Sequence, residues 1–175
     1  MESYTLELNP ECGPVHFGLF QNVENASELR QRFSNQDLDL GLSLIDASLV
    51  MNRFHVLLAL TRAVHDEKIK LKTNHIHSEV AFSFGINNNI GKTFQAFGLK
   101  NDTTNVVVIR VGSENTEQAE AYIKERVKGD LVSFDHVTSL RDLDTIKKIY
   151  QVDKQVQDEQ EIMGLISGAM ALKGH

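Results

Sequence analysis

The 175 residues contain one cysteine, two prolines and no tryptophan. A single thiol, Cys12, cannot close an internal disulfide, so nothing points to an oxidising compartment. Two prolines exclude a long Pro-rich linker. No stretch approaches the roughly 18 apolar residues that would span a bilayer, and no membrane partner is expected. The opening MESYTLEL also lacks the basic segment and apolar run of a secretory signal. Positive charge is in the minority, 18 Lys and Arg against 24 Asp and Glu for a net charge of −6. That balance argues against a broad duplex-binding face but leaves room for a local patch that grips a few phosphates. The expectation is a single domain over 1–175, in cytosol, nucleus or both.

What is present reads as alternating strands and helices. Tyr4 to Leu8 and Val15 to Phe20 are apolar-alternating runs around the turn-forming segment PECGP, and they suit a hairpin. Asn25-Ala-Ser-Glu28 has the spacing of a capping box for a helix to about Phe33. A brief helix is expected around Asp46 to Leu49. Asn52 can cap a long helix with Phe54, Leu57, Leu58, Leu60, Ala63 and Val64 as its buried stripe. His75 to Phe84 reads as a strand with Ile76, Val80, Phe82 and Phe84 on one face. Asn87-Asn88-Asn89 forms a turn that caps a helix from Ile90 to Phe97, and Gly98 ends it. Asn105 to Val111, with Val-Val-Val-Ile, is the strongest central-strand signal. Asn115-x-x-Gln118 can cap a helix to about Val127. A short strand at Leu131 to Phe134 follows, then a helix from Leu143 to Tyr150 after Ser139-x-x-Asp142, and a closing helix from Val156 to Leu172. This order predicts a mixed α/β (α+β) fold, a single layered sheet packed with helices.

Candidate chemistry is sparse. On a strand, His75, His77 and Glu79 would share one face, and two imidazoles with a carboxylate form a possible metal set for a small metal-dependent enzyme. Neighbours on one strand diverge along it, however, and a second element would have to complete the site. The lone His16, His55, His136 and His175 define no nucleophilic triad, and no basic neighbour in sequence activates Cys12. The glycines of Phe84 to Gly91 match neither a dinucleotide fingerprint nor a P-loop. No cofactor and no catalytic residue are therefore expected. Lys68, Lys70 and Lys72 can extend to phosphates. In the closing helix, Ile162, Leu165, Ile166, Ala169 and Met170 form an apolar stripe beside Gly164 and Gly168. It suits the core, a docked partner or both.

The run LKTNHIHSEVAFSFGINNNIGKTFQAFGLKNDTTNVVVIRV, Leu71 to Val111, resembles the centre of the Cgi121 family. Ser78-Glu79, Asn87-Asn88-Asn89-Ile90 and Phe97-Gly98 carry the likeness, with PECGP, Ala63-Val64-His65, Ile146-Lys-Lys-Ile-Tyr150 and the small-plus-apolar closing helix in matching order. The resemblance implies a non-catalytic accessory subunit of the EKC/KEOPS complex that binds the Bud32/PRPK atypical kinase. Kae1/OSGEP and the other subunits are implied as partners through the complex. The implied reaction is threonylcarbamoylation of adenosine 37 in ANN-decoding tRNAs, with this subunit helping to recruit tRNA through its 3′ CCA end. It implies partner contact through Ile162, Leu165, Ile166, Ala169 and Met170. A tRNA contact through Lys70, Lys72, Asn87, Asn88 and Asn89 joins the lysine run to the asparagine turn. A kinase-binding module with no RNA role is the alternative of another class.

Overall fold

The computed structural model describes residues 1–112 and 114–173; His175, one of the lone histidines, lies outside them. Five strands form one sheet: β1 (Glu2–Thr5), β2 (Pro14–Gln21), β3 (Ser43–Asp46), β4 (Val106–Val111) and β5 (Asp130–Val132). The path is β1-β2-β4-β3, with β5 also paired to β2, and every pairing is antiparallel. The hairpin of β1 and β2 sets Tyr4 opposite Val15. The Val-rich segment is a central strand as its composition predicts, flanked by β2 and β3.

Alternation along these strands builds two cores. Val15, Phe17 and Leu19 of β2, with Val107 and Ile109 of β4, face one core; Phe20, Val106 and Val108 face the other. The second core is covered by α1 (Ala26–Ser34) and α5 (Thr116–Arg126), through Leu29 and Ile123. The first is covered by α2 (Arg53–Ile69), α3 (Ile76–Ser83), α4 (Ile90–Phe97), α6 (Val137–Leu140), α7 (Leu143–Ile149) and α8 (Glu159–Leu172). Period two with both faces apolar dictates this: a strand buried on both sides needs helices on both sides.

Local signals account for most helix ends. The Asn52 carboxamide accepts the His55 amide at 3.1 Å and starts α2. Asn115 and Gln118 form a reciprocal capping box on α5, and Asp142 caps α7 through the Thr145 amide at 3.1 Å. Gly98 closes α4, where a side chain would drive a Cβ into the Phe94 carbonyl oxygen.

Several expectations need correction. His75 to Phe84 is not a strand. The His75 ring accepts the Ser78 amide at 3.3 Å as an N-cap, and α3 follows with every residue from His77 to Ser83 buried. A helix enclosed on all sides has no solvent face, so its hydrophobic pattern carries no 3.6 period. The segment before α2 is a strand, β3, ending in a 3-10 turn over Ala47–Leu49; only that turn matches the expected brief helix. Asn25 precedes α1 without capping it by its side chain. Its carboxamide instead donates to the Arg126 carbonyl at 2.8 Å and accepts the Lys128 amide at 3.0 Å, tying α1 to the end of α5. In α2, Phe54 faces solvent and His55 takes the core position.

Candidate nucleic-acid interface and partner-facing helix

The asparagine turn and the lysine run meet in space. A groove of about 950 Å³ between the end of α2 and the start of α4 is lined by Lys70, Lys72, Asn88, Ile90, Phe82 and Arg62, among others. Each residue arrives there for a local reason. Lys70 ends α2 as its C-cap, with its amide donating to the Asp66 carbonyl at 2.8 Å. Asn87 accepts the Asn89 amide at 2.8 Å, and Asn89 accepts the Lys92 amide at 3.0 Å. Those two side chains build the turn and cap α4, which leaves exposed Asn88 as the asparagine that lines the groove.

Beneath the groove sits a buried carboxylate. Glu79 Oε2 accepts the amides of Lys72 and Thr73 at 3.1 and 2.9 Å and the Thr73 hydroxyl at 2.7 Å. Glu79 thus fixes the loop that presents Lys72; its Oε1 has no hydrogen-bond partner among the described residues. Nearby, the Lys173 ammonium donates to the Phe82 carbonyl and lies 3.4 Å from the centroid of the Phe82 ring. Burial pushes this amine down to about 7, against the opposing field of Glu79. Arg62 joins α2 to the last turn of α8. Its guanidinium donates to the Lys173 carbonyl at 2.5 Å and pairs with Asp66 at 3.1 Å.

The candidate metal set does not converge. Positions two apart on a helix point about 200° apart, and each side chain has its own partner. His75 caps α3, while His77 Nε2 accepts the Val111 amide at 3.1 Å. His77 is held neutral, its pKa pushed down to about 3, chiefly by burial and then by the Arg110 charge. Glu79 is taken up by the Lys72–Thr73 loop. No group of three or more His, Cys, Asp or Glu among the described residues could hold a metal ion.

Two further buried histidines, His55 and His16, are structural as well. His55 Nδ1 accepts the Met51 amide at 3.1 Å, so its proton lies on Nε2, 2.8 Å from the Tyr150 hydroxyl, which in turn donates to the Phe84 carbonyl. Burial pushes His55 down to about 3 and Tyr150 well up. Buried His16 is held between the Ser3 hydroxyl and the Glu114 carbonyl, at 2.6 and 2.9 Å. Burial, with the Glu67 charge, raises the Cys12 thiol, which is the opposite of activation.

The apolar stripe of α8 splits in two. Ile162, Ile166 and Met170 are buried in the first core, and their expected partner contact is corrected: they pack within this chain. Leu165 and Leu172 are 47% and 77% exposed, with Ala169 half-buried between them. Gly164 and Gly168 lie on this outer side, where a Cβ at either would meet nothing within 4 Å. Exposed Phe54 of α2 and Gly164 of α8 line one further groove. Sequence spacing defines the stripe, but only tertiary packing divides it between core and surface. His65, Ile69, Phe82 and Lys173 of the cationic region were missed, because nothing local to them signals a shared groove.

The described residues thus define a small α/β domain with two contrasting surfaces, one apolar and low, one cationic. The chain belongs to the family described as kinase binding protein CGI-121, whose profile matches residues 20–174. It is similar to the EKC/KEOPS complex subunit cgi121 of Aspergillus terreus, 34% identical over 187 aligned positions that cover 97% of this chain and 96% of the relative. The Aspergillus fumigatus protein of the same name is 33% identical over 183 positions, covering 99% and 97%. The EKC/KEOPS complex subunit TPRKB of Danio rerio is 31% identical over 156 positions, covering 89% and 88%.

Proposed function

We propose that this chain is a non-catalytic subunit of an EKC/KEOPS complex, acting in nucleus and cytoplasm. The outer ridge of α8 docks the Bud32/PRPK-type kinase. The Lys70–Lys72–Asn88 groove helps bring the unpaired 3′ CCA end of ANN-decoding tRNAs to the assembly. Kae1/OSGEP then carries out threonylcarbamoylation of adenosine 37. The shared names of the relatives support the complex, and the family description supports the kinase.

One observation carries the docking assignment. Gly164 and Gly168 occupy exposed mid-helix positions where glycine costs about 1 kcal/mol relative to alanine, and nothing in the packing of the described residues requires either of them. A partner helix or strand that must approach α8 closely gives them a reason. Leu165 and Leu172 flank that low surface as anchors.

The test is kinase co-purification with Leu165→Asp, alongside binding of tRNA with and without its CCA end by the unmodified protein. Loss of the kinase at unchanged melting temperature supports the docking face; full retention overturns it. Equal binding of both tRNAs removes the tail-recognition step and leaves a kinase-binding module.

A further inference from the structure

The cationic groove does not stop at Lys72. A second groove of about 370 Å³ shares Lys72 and Ile90 with it, and shares Phe33, Ser34 and Phe94 with a third of about 490 Å³ between α1 and α4. The three form one path around the exposed face of α4. Five of the 18 basic residues line it (Arg30, Arg62, Lys70, Lys72 and Lys100), but only one of the 24 acidic residues, Asp66, does so. Asp66 is already paired with Arg62. On a chain of net charge −6, that segregation favours an anionic polymer along this path.

The far end of the path has the chemistry of a base site. Phe33 and Phe94 meet edge to face with ring centroids 5.2 Å apart, and both are only partly buried. Buried Leu44, Phe97 and Leu99 back the groove, while Arg30 and Lys100 line the same groove. Arg30 donates to the Asn101 carboxamide at 3.0 Å and Lys100 to the Gln95 carbonyl; among the described residues neither forms an ion pair with a carboxylate. Aromatic surface for a base and unneutralised cations for its phosphates are the two components of single-strand recognition.

We infer that the Phe33–Phe94 groove is a second RNA subsite, which stacks an unpaired base several nucleotides along the strand from the one held at Lys70, Lys72 and Asn88. This rests on the RNA reading above and extends it to a site distinct from that groove. The path makes affinity depend on the length of the unpaired segment as well as on its end.

Fluorescence anisotropy with single-stranded oligonucleotides of about four and about eight nucleotides, both ending in CCA, tests this within the usual range of single-strand site sizes. The longer strand is expected to bind about tenfold tighter, as one stacked base supplies. Phe94→Ala abolishes that gain and leaves the short strand unaffected, whereas Phe94→Tyr preserves it. The pair Arg30→Ala and Lys100→Ala, both off the core, lowers the salt dependence for the long strand alone and guards against a folding artefact at Phe94. Equal affinity for both lengths overturns the second subsite while leaving the first standing. So does a length gain that survives Phe94→Ala, or competition by an oligoglutamate peptide as effective as the oligonucleotide. Binding of neither strand overturns both readings.

Discussion

Helices α3 and α8 invert the usual expectation in opposite senses. In α3 polar residues are inside: His77, Ser78, Glu79 and Ser83 are all buried. In α8 large apolar residues are outside, at Leu165 and Leu172. Apart from Glu79 Oε1, the polar side chains of α3 are nonetheless occupied within the chain. His77 accepts the Val111 amide, Ser83 donates to the Glu79 carbonyl at 2.7 Å, and Glu79 holds the Lys72 loop. The apolar residues of the α8 outer ridge have no such occupation. A satisfied buried polar group is architecture, however much it resembles a ligand, and an exposed apolar ridge beside uncrowded glycines is the surface on which the proposed docking rests.

The sharpest break of this contrast comes within α8 itself. Ile166→Asp places an unpaired carboxylate in the first core, at a cost of several kcal/mol, comparable with the whole stability of a domain this size. The expected outcome is loss of soluble folded protein. A cooperative melt close to that of the unmodified chain would show that Ile166 does not face the core.

Acid probes the α3 side of the comparison. His55 and His77 have folded pKa values of about 3, below the unfolded value near 6.5. The unfolded chain therefore binds more protons over this interval, and stability rises with pH. The contribution is complete above pH 6.5 and is lost as pH falls through the window from 6.5 towards 3. At pH 5 each neutral histidine costs about 2 kcal/mol. Carboxylates with lowered folded pKa values, such as Asp142 and Glu159, keep their stabilising contribution at both pH values and lose it only at more acidic pH. Urea denaturation at pH 7 and pH 5 should show the loss, and a flat profile would mean that these imidazoles are not buried neutral.

Smaller in stability, but larger in meaning, are changes on the outer ridge. Gly168→Ala should raise folding stability by up to about 1 kcal/mol, since helix propensity improves and nothing is met. Gly168→Leu should keep the fold and weaken kinase capture by obstructing close approach. Equal capture by both variants would leave the glycines unexplained.

How much of this was legible in the sequence divides along the same line. Elements whose signal is local were readable: the Val106–Val111 strand, the Asn52, Asn89 and Asn115 caps, and the apolar stripe of α8. Elements decided by tertiary enclosure were not. His75–Phe84 alternates as a strand would, because a fully enclosed helix is free of any amphipathic requirement, and β3 is too short to assert a period. Within the site, the lysines and asparagines were readable as polar and exposed, and the family resemblance brought them together. Phe82, Lys173 and the Phe33–Phe94 groove join them only through contacts between α1, α3, α4 and α8, which no local spacing encodes.

The smallest predicted effect separates architecture from surface within a single loop. Lys72 contributes its backbone amide to Glu79 and its exposed side chain to the groove. Lys72→Ala retains the amide, so the loop and the melting temperature should be preserved to within about 0.5 kcal/mol. Only the ammonium is removed, and with Lys70→Ala the pair should lower the slope of log affinity against log salt by about 1.4 for a single strand. Glu79→Gln makes the complementary change: the lysines remain, but the acceptor that gathers the Lys72 and Thr73 amides is weakened. Its expected outcome is reduced stability, with the salt slope unchanged in the molecules that remain folded. If Lys70→Ala with Lys72→Ala leaves the slope intact, these ammonium groups do not meet phosphate. If Glu79→Gln changes the slope at full stability, Glu79 acts on the ligand and its role as scaffold is wrong.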